Sequence, residues 1–306
     1  MMGHRYFCID IGGTVTKHTL FDQGGKLLED GHQPTPRDRA SFLGLLDQLV
    51  GHLDDQVVGV GISTPGIVNL REETVTFTGT LKFMGTLNLA AYIRHASGRP
   101  VFIGNDANCA TLAELWQGNL VGIDSGAMIT LGTSVGGGLV LDGHLRLGRN
   151  FHAGQISAIG TNYGQTTKAT TVGASTSAVK MIETIAKVCQ LPDPTNGQAA
   201  FEKIMAGDER AQSIFTTFCQ RVSLLIISLQ ATLDLDRVLI GGGISKQPIL
   251  LAEINRQFDC LVAQDPRLQS DILKPEILAA HFGNQVNLRG ALDGILMQLN
   301  HEIITK

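Results

Sequence analysis

The chain has 306 residues, 43% of them hydrophobic and 17% charged, with a formal net charge of -4. That length allows about two domains, and the apolar share is enough for packed cores and too large for a disordered chain. The slight acidity offers no concentrated basic face, so no nucleic-acid or polyanion partner is expected.

Met1-Met2-Gly3-His4-Arg5 lead directly into an apolar strand without the hydrophobic region of a signal peptide. The longest apolar run, residues 222–233, is interrupted by Ser223, Ser228, Gln230 and Thr232 and falls short of the roughly 20 residues that span a bilayer. It reads as a buried core helix, and no membrane partner is expected. Cys8, Cys109, Cys189, Cys219 and Cys260 form no closely spaced pair, which fits reduced thiols and a cytoplasmic location.

In chain order, a strand at 6–11 runs into Gly12-Gly13, a return strand follows at 16–21, and Gln23-Gly24-Gly25 turns into a third at 26–30. Residues 41–53 carry Phe42, Leu45, Leu46, Leu49, Val50 and Leu53 at helical spacing. A buried strand at 57–63 ends in Thr64-Pro65-Gly66. A helix at 89–95, a strand at 101–103 and a helix at 107–117 complete a first half. The pattern then restarts. A strand at 126–131 enters the glycine-rich run 132–138, and a return strand follows at 139–142. Helical stretches cover 175–189 and 199–233, a strand at 237–240 enters Gly241-Gly242-Gly243, and a closing helix covers 288–300. Two halves of one design imply duplicated α/β lobes, 1–118 and 119–287, with the last helix (288–306 with its tail) placed back on the first lobe. Ligands usually sit in the cleft such lobes leave.

Three glycine turns carry chemistry. Asp10-Ile11-Gly12-Gly13-Thr14 puts bare backbone beside a carboxylate and a hydroxyl, and glycine lets main-chain amides approach phosphate oxygens. Magnesium prefers one or two carboxylates with phosphate oxygens and water, so Asp10 is a candidate to hold Mg²⁺ through water. Gly132-Thr133-Ser134-Val135-Gly136-Gly137-Gly138 repeats the device, and Gly241-Gly242-Gly243 leaves a strand bare for a flat ring or a phosphate. Each turn alone is also what an ordinary hairpin needs. There is no G-x-x-x-x-G-K-S/T, and no G-x-G-x-x-G with an acidic residue about 20 positions on, which argues against a dehydrogenase. In Gly104-Asn105-Asp106-Ala107-Asn108, Asp106 stands between a strand and a helix. It is placed either to cap that helix or to take a proton from an attacking hydroxyl.

IDIGGT at 9–14, GISTPGIVN at 61–69, GNDANCATLAE at 104–114, LGTSVGGGLVLDGHLRLG at 131–148 and IGGGIS at 240–245, in that order, resemble the ROK family (repressor, open reading frame, kinase) of the actin/hexokinase/Hsp70 superfamily. The resemblance covers essentially the whole chain. It implies a two-lobed, actin/hexokinase-like (ribonuclease H-like) α/β fold with an interlobe cleft, and an ATP- and Mg²⁺-dependent sugar kinase acting at a 6-hydroxyl. By that resemblance Asp106 is the catalytic base, Asn105 holds a sugar hydroxyl and Gly66 brings backbone to the sugar. Asp10, Gly12, Gly13 and Thr14 form the first phosphate loop, Gly132, Thr133, Gly136 and Gly137 the second, and Gly241, Gly242 and Gly243 the adenosine wall. Lys17 is a candidate to reach a phosphate and His152 to touch the sugar. With only a few residues before Tyr6 in the sequence, the DNA reader of the repressor branch is not expected, and a homodimer is expected, as in many relatives.

Departures from the family pattern concern the substrate. Members typically read AGEIGH followed by a zinc-binding CxCGxxGCxE. Here Gln155 replaces the sugar-binding glutamate, Ala158 stands in place of the histidine, and 160–173 has no cysteine, so no structural zinc is expected. An amide cannot supply the charged acceptor for two hydroxyls. The zinc-free pattern, with TGTLKF at 78–83 and ASTSA at 174–178, is similar to β-glucoside kinases, whose sugars are substituted at the anomeric carbon. A glucokinase, an N-acetylmannosamine kinase and a sugar sensor that has lost the chemistry remain as alternatives.

Overall fold

The computed structural model describes residues 3–162, 164, 167–283 and 285–302. Two compact units emerge: 1–122 with 144–153 and 284–306, and 123–143 with 154–283.

The first unit is built on a five-stranded sheet. β1 (Arg5–Ile11), β2 (Val15–Asp22) and β3 (Leu27–Pro34) form an antiparallel meander, and β4 (Val57–Thr64) lies parallel to β1 on its other side. The helix α1 (Arg39–Val50) precedes β4; three short strands, β5 (Ile67–Asn69), β6 (Thr74–Thr76) and β7 (Thr86–Leu87), form a small antiparallel sheet after it. Then come α2 (Leu89–Ser97), β8 (Val101–Asn105), parallel to β4, and α3 (Asp106–Gln117).

Side chains along a strand alternate between faces, and that alternation places the site. On β1, Phe7, Ile9 and Ile11 join Phe42, Leu46, Leu89 and Ile93 in one core, while Tyr6 and Cys8 join α3 in another. Asp10 shares the parity of Tyr6 and Cys8. On β4, Val60 and Ile62 face the first core, and Gly59, Gly61 and Ser63 the opposite side.

The second unit holds β9 (Gly126–Leu131) and β10 (Val135–Leu141), antiparallel. The next strand, β11 (His144–Leu145), belongs to the first unit. There follow α4 (Val172–Ser175), α5 (Ala178–Val188), α6 (Gly197–Met205), α7 (Glu209–Leu233), β12 (Arg237–Gly242), α8 (Pro248–Val262), α9 (Pro266–Asp271) and β13 (Glu276–Ala279). β12 runs parallel to both β9 and β13. Phe201, Phe215, Phe218, Val222, Ile226, Ile254 and Phe258 build the core against this sheet. By length and composition α7 is apolar enough to cross a membrane, yet Phe215, Phe218, Cys219, Val222, Leu225, Ile226 and Leu229 on it are buried among the unit's own helices and strands.

Three sequence expectations change. Residues 199–233, expected as one helix, are two: Gly207 adopts a left-handed φ of +84°, and Asp208 caps α7 by accepting from the amides of Arg210 and Ala211. The run 175–189 is likewise divided, with Ser177 capping α5. The segment 144–153, expected in the second lobe, belongs to the first unit, because Leu145 and Leu147 are buried with Tyr6, Cys8 and Phe102.

The last helix, α10 (Val286–Leu299), closes the first unit across α3, β4 and β1. Small residues permit the approach: a Cβ on Gly61 would strike the Ala291 carbonyl, one on Gly294 the Phe102 ring, and one on Gly290 the Cys109 main chain. Leucine at 290 has nowhere to go. Gly290→Leu is expected to cost at least ~2 kcal/mol of stability, read as a lowered midpoint in thermal or urea unfolding.

Candidate active site

In the first unit the site grows from the carboxyl ends of three parallel strands. Asp10 on β1 is level with Ser63 on β4, Ser63 with Gly104 on β8, and Thr64 with Asn105. Ends of this kind are where open α/β sheets bind ligands. Asp10 is buried; its Oδ1 accepts from Ser63 Oγ at 2.8 Å and Asn287 Nδ2 at 3.2 Å. Lys17 lies directly across on β2. Burial raises the Asp10 pKa, against the pull of the Ser63 and Asn287 hydrogen bonds and the Lys17 charge.

Asn105 caps α3. Its Oδ1 accepts from the Ala107 amide at 3.0 Å, and its Nδ2 donates to the Gly66 carbonyl at 2.9 Å, tying the loop after β4 to the helix start. Gly66 needs its φ of +114°, and a Cβ there would lie 2.5 Å from the Thr76 carbonyl oxygen. Asp106 opens the first turn, and its Oδ1 accepts from the Ala107 amide at 2.8 Å. Burial first, and then the negative charge of Asp10, raise its pKa to about 6, while the Ala107 amide pulls the other way. Asn105 rather than Asp106 is thus the helix cap, and Asp106 is a partly buried carboxylate with a pKa of about 6.

The β1–β2 turn is pinned from below. The Gly12 amide donates to the Val15 carbonyl at 3.1 Å, and Thr35 Oγ1 donates to the Gly12 carbonyl at 2.8 Å. Gly13 and Thr14 form the exposed tip, where a side chain at 13 would displace the Thr80 hydroxyl.

In the second unit, Gly132-Thr133-Ser134 make the turn between β9 and β10, closed by the Gly132 amide on the Ser134 carbonyl at 3.0 Å. Thr133 and Ser134 are exposed. Gly136 and Gly137, expected in this loop, lie inside β10, opposite Thr130 and Ile129. Gly137 is there for packing, since a Cβ would sit 2.6 Å from the Gly154 carbonyl oxygen. Gly242, with φ +98°, is paired beside Leu131 and admits no Cβ, so the Gly241–Gly243 turn adjoins the Gly132 turn. Beyond Gly243 opens a groove of about 420 Å³ lined also by Gly197, Gln198, Phe201, Glu202, Met205, Ile244 and Gln247.

His152 is exposed in the first unit, and Gln155 is exposed in the second, where it opens a short helical turn at Ile156–Ala158. Among the described residues no group of three His, Cys, Asp or Glu side chains is arranged to hold a metal ion. Sequence reasoning missed Ser63, Asn287 and the helix residues lining the groove. Only Ser63 left a signal, as the polar member of the Gly59-Gly61-Ser63 face of a buried strand.

A carboxylate at a strand end, another at a helix start and glycine turns in both α/β units are what a phosphoryl-transfer site would use. The ROK family profile matches residues 6–297, and the chain belongs to the ROK family. It is 27% identical over 298 residues to a β-glucoside kinase of Listeria monocytogenes, covering 96% of this chain and 98% of that protein. A glucokinase of Halalkalibacterium halodurans is also 27% identical, over 317 residues, with 95% and 94% covered. Two solved structures share the fold, which is actin/hexokinase-like. A ROK family protein from Streptococcus pneumoniae in complex with sucrose has a TM-score of 0.85 at 23% identity, with 97% of this chain and 99% of that one covered. A ROK family glucokinase from Streptomyces griseus in complex with glucose and AMPPNP has a TM-score of 0.82 at 24% identity, with 96% and 99% covered.

The raised Asp106 pKa means the fold favours the protonated carboxyl. Its contribution to stability is complete below the unfolded value near 4 and is lost as pH rises through about 6. Asp106→Asn is therefore expected to match the wild type in stability at pH 4 and exceed it at pH 8, by on the order of 2 kcal/mol. Thermal unfolding at the two pH values checks this. Gly66→Ala is expected to displace the loop that Asn105 holds and raise the KM for the sugar substrate by about tenfold or more, measured in a kinase assay at saturating ATP.

Proposed function

We propose that the chain is an ATP-dependent sugar kinase that phosphorylates the 6-hydroxyl of a hexose or β-glucoside, with Asp106 as the general base. The observation that carries this reading is Asp106 itself: partly buried at a helix start, near a second carboxylate, with a pKa of about 6. At pH 7 such a group is mostly ionised and still basic enough to accept a proton. As the sugar oxygen attacks the γ-phosphorus, its proton passes to Asp106, the bond from phosphorus to the β–γ bridging oxygen breaks, and ADP leaves. Phosphoryl transfer asks the protein mainly to position reactants and stabilise charge.

Asp10 fits a magnesium site held through water, since one strand-end carboxylate beside an exposed glycine turn is what that ion uses with phosphate oxygens. Bound there, Mg²⁺ would neutralise charge on the β- and γ-phosphates. Gly12, Gly13 and Thr14, with Lys17 behind them, and Gly132 with Thr133 are the proposed phosphate contacts, and Gly241–Gly243 the adenosine wall. Asn105, through the Gly66 carbonyl it holds, would shape the sugar site, and Gln155 and His152 are proposed sugar contacts.

For the acceptor we favour a β-glucoside. The support is Gln155 and Ala158 in place of a glutamate and a histidine, together with the curated β-glucoside kinase of similar length. Free glucose is the second reading, favoured by the glucokinase relative. A coupled assay of ADP release over cellobiose, glucose, N-acetylmannosamine and N-acetylglucosamine separates them. Cellobiose is expected to give the highest kcat/KM; a clear preference for glucose would sink the glycoside reading, and no sugar-dependent release would leave a sensor. With the best sugar, kcat/KM is expected to fall on the acid side with an apparent pKa of about 6. Asp106→Asn is expected to lose ~10²–10⁴-fold in kcat.

A further inference from the structure

Among the described residues that line it, the groove beside Gly243 has no buried polar side chain with which to read the edge of a base. Its floor is apolar: Phe201 is 1% exposed and Ile244 7%. Its other wall is Met205, 60% exposed. The polar residues stand at the rim. Gln198 and Glu202 are exposed and bonded to one another, Gln198 Nε2 donating to Glu202 Oε1 at 3.2 Å, and Gln247 is only partly buried. A volume of about 420 Å³ lies within the usual range for a small-molecule site. Gly243 borders it, and nothing lies within 4 Å of where its Cβ would be, so a side chain there meets no steric bar.

Discrimination between ligands of similar shape comes from desolvated hydrogen-bonding groups that the wrong ligand leaves unpaired, and such groups give factors of about 10⁴ or more. Apolar walls give far less, because every purine presents them with similar faces. We propose that this groove takes the base of the phosphate donor by stacking and apolar contact alone, so that the protein uses purine nucleoside triphosphates in general, GTP and ITP alongside ATP. This rests on the kinase reading for its role and on the groove for its content. Gln198 and Glu202, already paired and in water, exchange one set of hydrogen bonds for another whichever base arrives. They therefore contribute little to selection.

Calorimetric titration of the full chain with ADP, GDP and IDP in the presence of Mg²⁺, and kcat/KM with ATP, GTP and ITP on the best sugar, test it. The expected spread among purines is below about a hundredfold in each measure; a larger preference for any one purine overturns the proposal. Gln198→Ala and Glu202→Ala, on exposed positions, are expected to leave the ADP-to-GDP affinity ratio within about tenfold of wild type. A greater change would mean that the rim reads the base. Gly243→Leu, which adds bulk at the groove's edge, is expected to weaken ADP and GDP together by about tenfold or more, with the unfolding midpoint unchanged. Unaltered affinities in a folded variant would place the base elsewhere and overturn the proposal, as would failure of every nucleotide to bind. If ADP and GDP bind alike but no sugar elicits ADP release, the kinase reading falls and the base inference stands. If ATP is turned over but GTP is refused, the reverse holds.

Discussion

A single carboxylate oxygen gathers the first unit's working parts. Oδ1 of Asp10 accepts from Ser63 on β4 and from Asn287 at the start of α10, so one acceptor joins segments separated by 53 and 277 positions in the chain. A buried carboxylate is costly unless its hydrogen-bond partners are in place. That cost orients the parts: β1 must end where β4 ends, and α10 must begin over both. The glycine turn after Asp10 inherits its position from that arrangement, as does Asp106, which feels the charge of Asp10.

Packing and electrostatics are therefore one problem in this unit. Gly59 and Gly61 on β4 and Gly290 and Gly294 on α10 have no side chains, and this brings the helix close enough for Asn287 to reach the strand end. Burial pushes both carboxyls toward protonation. Lys17 and the Ser63 hydroxyl pull back on Asp10. What is left is a pair of acids with unlike supports. One is fixed by side chains from neighbouring elements. The other is bonded through one oxygen to the amide that follows it.

Much of this was legible in sequence, and the residues that were not share a cause. Apolar runs ending in turn residues marked β1 and β4, and glycine doublets after strands marked both units; Asp106 stood out as an acid between a strand and a helix. Gly136 and Gly137 misled as loop positions, because a glycine inside a strand, such as Gly137 where it relieves crowding, is indistinguishable by letter from one that opens a loop. Asn287 sits far along the chain from Asp10, and no local pattern announces such a pairing. Phe201 and Met205 follow ordinary helical spacing, so their exposure to a groove depends on how α6 meets the turn after β12. The break between α6 and α7 did have a local sign, Gly207-Asp208, which propensity over a long apolar stretch overrode.

The closing helix has a consequence for synthesis. Cys8, Cys109 and Phe102 lie on a face that residues 286–299 help to cover, and those residues follow α3 by more than half of the chain's length. Chains emerge at roughly 5–20 residues per second, so this apolar face waits bare for on the order of ten seconds or more after α3 is made. The second unit's core, drawn from a nearly continuous stretch, can be complete before then. The first unit is thus finished only once α10 has been made, and during that interval its uncovered apolar face is the part a chaperone would meet.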